Sequence, residues 1–117
     1  MEDNELLPIF TKYLQSDDLN VIREACWIIS NMINGGSVDI TKKVIRADHC
    51  IEYCIDVINK IEDETLSNHM AMALSKCIEV DSGLKELYMK NHLKEILEKN
   101  DYVDKSSDAY KNLISKL

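Results

Sequence analysis

The sequence is short of the residues that interrupt or staple a chain. One proline and three glycines stand among 117 residues, which excludes a collagen-like or low-complexity segment and leaves long stretches free to run as regular structure. Aromatics are scarce at 6%, so the core rests on aliphatic side chains. Positive charge is in deficit, with 14 Lys and Arg against 21 Asp and Glu, and no basic run occurs anywhere. Nucleic acid and anionic membrane both need a positive footprint, and neither is expected as a partner. No apolar stretch approaches the roughly 18 residues that span a bilayer. The opening Met1-Glu2-Asp3-Asn4-Glu5 is acidic where a secretory signal is basic, so a cytoplasmic or nuclear location is expected.

Four cysteines, Cys26, Cys50, Cys54 and Cys77, lie within charged, helix-like sequence, where an intracellular cysteine serves as a small buried hydrophobe. A zinc reading would take His49 with Cys50 and Cys54, the last two sharing a helix face. The close pairs of structural zinc sites are usually two residues apart, and the remaining ligands would have to come from other helices. His69 and His92 have no nucleophile or carboxylate pair at a suggestive spacing, and no triad, phosphate loop or dinucleotide fingerprint is present. No catalysis, metal or cofactor is expected.

What is there is helical period. Leu6, Leu7, Ile9, Phe10, Tyr13 and Leu14 form one apolar face over about Glu5 to Gln15, with Pro8 placed in the first turn. Ser16-Asp17-Asp18 supplies a cap, and Val21, Ala25, Ile28, Ile29 and Met32 continue at three-and-four spacing until Asn34-Gly35-Gly36. Further helices are predicted from about Ser37 to Ala47, Asp48 to Ile61, Asp63 to Val80, through Leu84 to Tyr88, through Leu93 to Leu97, and from about Tyr102 to the end. Strand signals are weak throughout, and the chain reads as all-α.

The two long helices superpose at a constant offset of 45 residues: Asp18 on Asp63, Val21 on Leu66, Ala25 on Met70, Ile29 on Leu74, Ser30 on Ser75. Helical repeats of about 40 to 47 residues are the armadillo and HEAT class, whose units bury their faces only on their neighbours. The predicted fold is a helical solenoid of this class. It divides into a partial repeat at 5–36, a full repeat at 37–80 and a degenerate capping repeat at 81–117.

The string Arg23-Glu24-Ala25-Cys26-Trp27-Ile28-Ile29-Ser30-Asn31, followed by Asn34-Gly35-Gly36, resembles the third helix of an importin-α armadillo repeat, and Leu6-Leu7-Pro8 resembles its second. The glycine pair after the Trp-Asn helix, a next repeat without Trp, and the closing Asp108-Ala109-Tyr110-Lys111 are similar to the C-terminal repeats of that family. The resemblance implies an armadillo-type right-handed helical solenoid of about two and two-thirds repeats, a non-catalytic protein that binds basic nuclear-localisation peptides weakly on a concave groove, in nuclear import, and meets the recycling exportin at its C-terminal repeats. It places the peptide-binding residues at Trp27, Asn31 and Glu24.

On their own terms the residues admit either such a rung or a Trp27 packed against the neighbouring repeat with Asn31 as a cap or solvated amide. Trp27 and Asn31 are one turn apart on one face, where an amide holds an extended backbone and an indole flanks a cationic stem that Glu24 can pair. At the equivalent positions one repeat later stand Met72 and Lys76, and a lysine there is expected to repel a basic peptide. The alternative is a structural armadillo cap or oligomerisation module that has lost peptide binding. The N-terminal face formed by Leu6, Leu7, Ile9, Phe10 and Leu14 is expected either to self-associate or to be covered by a larger parent chain.

Overall fold

The computed structural model describes residues 3–47 and 49–117, with residues 3–7 given by their backbone alone. Among the described residues there are eight α-helices and no strand: α1 (Asp3–Tyr13), α2 (Leu19–Gly35), α3 (Val38–Arg46), α4 (Cys50–Lys60), α5 (Glu64–Val80), α6 (Leu84–Lys90), α7 (Leu93–Lys99) and α8 (Asp108–Ser115). Starts are set by caps. The Asp18 carboxylate accepts the Asn20 amide at 2.9 Å, Asp63 accepts that of Leu66 at 3.0 Å, and the Ser107 hydroxyl accepts that of Tyr110 at 3.2 Å. Each fills one of the orphan donors at a helix N-terminus.

The long helix α5 is the centre. It buries nine residues, including Leu66, Met70, Leu74, Cys77 and Ile78, and is flanked by α2 on one side and α8 on the other. From α4 come Cys50, Ile51, Cys54, Ile55, Val57 and Ile58, and from α6 the fully buried Tyr88, whose hydroxyl donates to the Leu74 carbonyl at 2.8 Å. Polar struts tie α5 to its two flanking helices. The Asn34 amide of α2 donates to the His69 carbonyl of α5 at 3.2 Å, and the Asn112 amide of α8 donates to Ser75 Oγ at 2.7 Å and Glu79 Oε1 at 2.9 Å.

The last predicted helix begins six residues late. Asn100 Oδ1 accepts the amides of Tyr102 (2.7 Å) and Val103 (2.9 Å), Asn68 Oδ1 that of Asp104 (2.6 Å), and Asp104 Oδ1 that of Ser106 (2.9 Å). Side chains thus occupy the donors of this stretch, and a helix is free to start only after Ser107. At the other end α1 begins before the expected Glu5 and closes at Tyr13, so Pro8 lies inside the helix rather than in its first turn. Gln15 and Ser16 turn back onto the carbonyls of Lys12 and Tyr13. Asp48, the expected start of the fourth helix, lies outside the described residues.

The expected N-terminal apolar face is redistributed. Leu14 is buried in the core and Phe10 packs against it, because α1 turns that side onto α2 and α3. Ile9 and Tyr13 are the bare residues, 44% and 45% exposed, with Leu19 and Val38 beyond them at 53% and 51%. Leu6 and Leu7 lie outside the described side chains. On the core side of α2, Ile22, Cys26 and Ile33 join Ala25 and Ile29, whereas Ile28 faces outward.

His49 and His92 stand at matching places, before α4 and α7, each with φ near 59°. A left-handed backbone at a non-glycine residue stores strain and makes the sharp corner between paired short helices.

All four cysteines are free and buried. Burial pushes the Cys26 and Cys77 thiols up to about 12, and it also raises the Tyr88 phenol. In the α4 pair, a hydrogen bond between Cys50 and Cys54 lowers Cys50 and raises Cys54. Above the ordinary thiol value of 9.0 the unfolded chain loses protons that folded Cys26 and Cys77 retain. Their contribution to stability is therefore intact below pH 9 and falls as pH rises toward 12. We expect denaturant midpoints to decline over this window, and the slope to flatten in Cys26→Ala/Cys77→Ala. A thiol reagent should label the native protein on the order of a thousandfold more slowly than the unfolded one.

Candidate functional site

The outward side of α2 is assembled by its helical phase. With Ile22, Ala25, Cys26, Ile29, Ser30 and Ile33 turned into the core, positions 23, 24, 27, 28 and 31 are left at the surface. Trp27, Asn31 and Glu24 are all exposed and share that face. The Trp27 indole is 40% exposed and rests on the His69 imidazole of α5, with ring centroids 4.4 Å apart and planes tilted by 44°. One turn on, Ser30 Oγ donates to the Trp27 main-chain carbonyl at 2.9 Å. Asn31 and Glu24 make no hydrogen bond or ion pair with any described residue, so an amide and a carboxylate are open to a ligand.

An open cleft of about 530 Å³ lies between the N-terminal halves of α2 and α5. Trp27, Ile28, Leu66 and Thr65 line it together with Arg23, Glu24 and Asp63. Its apolar members suit a hydrocarbon stem, and its two carboxylates against one guanidinium favour a cationic head. The Asp63 carboxylate is already engaged as the cap of α5, which leaves Glu24 as the free acid beside the indole.

Sequence reasoning missed His69, although the offset of 45 residues sets it opposite Glu24. It missed Asn34 as well, read only as a helix end. Asn34 Oδ1 and His69 Nδ1 are both buried with no hydrogen-bond partner among the described residues. Nothing in the fold explains this pair.

Lys76 is placed differently from expectation. Its ammonium turns to the end of α2 and donates to the carbonyls of Ile33 at 2.5 Å and Gly36 at 3.0 Å. A cation at the negative end of a helix satisfies carbonyls that α2 cannot bond itself. The approach is close: a Cβ on Gly36 would meet the Met32 carbonyl oxygen at 2.2 Å, which fixes glycine there. Lys76 is a strut between α2 and α5 rather than a free charge, while Met72 is 49% exposed.

The zinc reading is not assembled. His49 is exposed and its Nδ1 lies 3.1 Å from Glu52 Oε1, whereas Cys50 and Cys54 point into the core. Among the described residues no group of three or more His, Cys, Asp or Glu is placed to hold a metal ion. No helix among them is long and apolar enough to cross a membrane.

The two long helices α2 and α5 lie flank to flank, and the short closing helix α8 packs on the other flank of α5. This arrangement defines an all-α helical solenoid of armadillo type. Residues 3–33 match the armadillo/beta-catenin-like repeat, a span that takes in α1, most of α2, and Glu24, Trp27 and Asn31. No curated protein and no solved structure matches the chain. The match supports a protein-binding repeat module.

Removing the Lys76 strut tests its structural role. Lys76→Met should lower stability by about 1.5 to 3 kcal/mol, as expected for hydrogen bonds from a charged donor. Urea melts are the measurement, and Lys76→Asn, too short to reach both carbonyls, should lose a similar amount.

Proposed function

We propose that this protein is an importin-α-like receptor element that binds an extended, lysine- or arginine-bearing peptide across α2. Trp27 and Asn31 form the rung and Glu24 pairs with the cation. The observation that carries this reading is the half-exposed Trp27 indole, set at the edge of an apolar-lined cleft beside the unpaired Glu24 carboxylate. In the family that residues 23–36 resemble, such a rung holds nuclear-localisation peptides. On this reading the chain acts in nuclear import, works in the cytoplasm and nucleus, and offers its C-terminal repeats to a recycling exportin. Its units are the partial repeat at 5–36, the full repeat at 37–80 and the capping repeat at 81–117.

Magnitude keeps the binding weak. Two neutral hydrogen bonds supply about 1 kcal/mol each and a cation–π contact about 0.5 to 2, whereas micromolar affinity needs about 8. The position of Met72 adds apolar area but no second amide, and Lys76 is committed to α2.

Trp27 is the only tryptophan and reports directly on its own site. Titration with a lysine-rich peptide at low salt should change its emission, with half-saturation at about 0.1 to 1 mM. Glu24→Gln and Asn31→Ala should each weaken binding about three- to tenfold. An emission that does not move at millimolar peptide contradicts the proposal.

A second reading, association through the N-terminal face, is favoured by the distribution of bare apolar side chains. Ile9, Tyr13 and Leu19 are exposed there, apart from the Trp27 cleft and from α3. Light scattering at tens of micromolar should detect a concentration-dependent increase in mass, and Ile9→Glu/Tyr13→Glu should abolish it. Because Phe10 packs inward, Phe10→Glu should instead destabilise the fold.

A further inference from the structure

The chain carries a net charge of -7, yet one helix runs against it. On α3, Lys42, Lys43 and Arg46 are all exposed, and Asp39 is its only acid. None of the three cations forms an ion pair with a described residue. Lys43 and Arg46 favour the C-terminal end of their helix. That gain leaves their charge open to solvent, and Lys42 lies outside the last turn. A fourth cation, Lys76, is held at Gly36 immediately before the Ser37 cap of α3.

Beside these charges is a hollow of about 100 Å³ between α3 and the C-terminal end of α5, lined by Lys42, Ile45, Arg46, Val80 and Asp81. Ile45 and Val80 give it apolar walls, and the volume matches one aliphatic side chain. Asp81 is the acid on its rim, and its Oδ1 accepts the Gly83 amide at 2.9 Å. Val38, 51% exposed, extends the apolar surface at the start of the same helix. The cleft beside Trp27 opens near Asp63 and this hollow near Val80, at opposite ends of α5, roughly 25 Å apart at 1.5 Å per residue.

We propose that the α3 face is a second docking surface, for an acidic peptide segment of a partner protein that places an aliphatic side chain between Ile45 and Val80 and its carboxylates against Lys42, Lys43 and Arg46. Charge complementarity carries the assignment. A local excess of two positive charges on α3 attracts an acidic segment that the rest of this acidic chain repels. The surface is independent of Trp27, so each can fail without the other.

A fluorescent dodecapeptide of Asp and Glu with one central leucine tests this by anisotropy. Wild type should bind it, with affinity falling at least fivefold between 50 and about 200 mM salt as screening increases. Lys42→Gln/Arg46→Gln should weaken binding about tenfold and Lys42→Glu/Arg46→Glu more, with helicity checked by circular dichroism. Replacing the leucine by serine should weaken it several-fold, whereas Trp27→Ala should leave it unchanged. Equal binding by wild type and both double variants overturns the proposal, as does no binding at millimolar peptide. So does a preference of the same face for RNA or anionic vesicles over the peptide.

Discussion

Helix α5 cannot stand alone. Its buried residues, among them Leu66, Ser67, Met70, Ala71, Leu74, Ser75 and Ile78, fall on more than one side, so it is stable only with a helix on each flank. This need fixes α2 and α8 beside it and leaves the outer side of α2 free of core duty. Asn34, Lys76 and Asn112 then set the spacing of the three helices with hydrogen bonds that no single helix could satisfy internally. The exposed pattern of Trp27, Asn31 and Glu24 follows from the same demand, because the opposite side of α2 is consumed by packing.

Local rules made much of this legible in advance. The caps at Asp18 and Asp63 and the glycine stop after Asn34 depend on nearest neighbours along the chain, the 45-residue register is a repeat visible in the residue pattern itself, and the helices bear them out. Leu14 and Phe10 were harder, since which flank of α1 turns inward depends on α2 and α3 and not on the apolar stripe of α1. Likewise the stretch from Tyr102 to Ser106 loses its amides to Asn100, Asn68 and Asp104. One of those acceptors belongs to a different helix, and no window of sequence contains it.

The candidate groove divides the same way. Trp27, Asn31 and Glu24 were read from spacing on one helix. His69 and Lys76 act across the α2–α5 seam, where a register maps positions but not the directions of long side chains. Lysine is the sharper lesson: its four-carbon stem lets Lys76 leave the face that its Cα occupies and neutralise the end of the neighbouring helix.

The solitary indole has a consequence in time. A ligand held by one aromatic rung at an affinity near 100 μM, arriving at about 10⁶ M⁻¹s⁻¹, stays for about 10 ms. Such a contact samples and releases, and it becomes persistent only when a second attachment keeps the ligand close enough to return. On the proposed reading, a surface with Trp27 as its one tryptophan is suited to rapid exchange of a peptide more than to its retention.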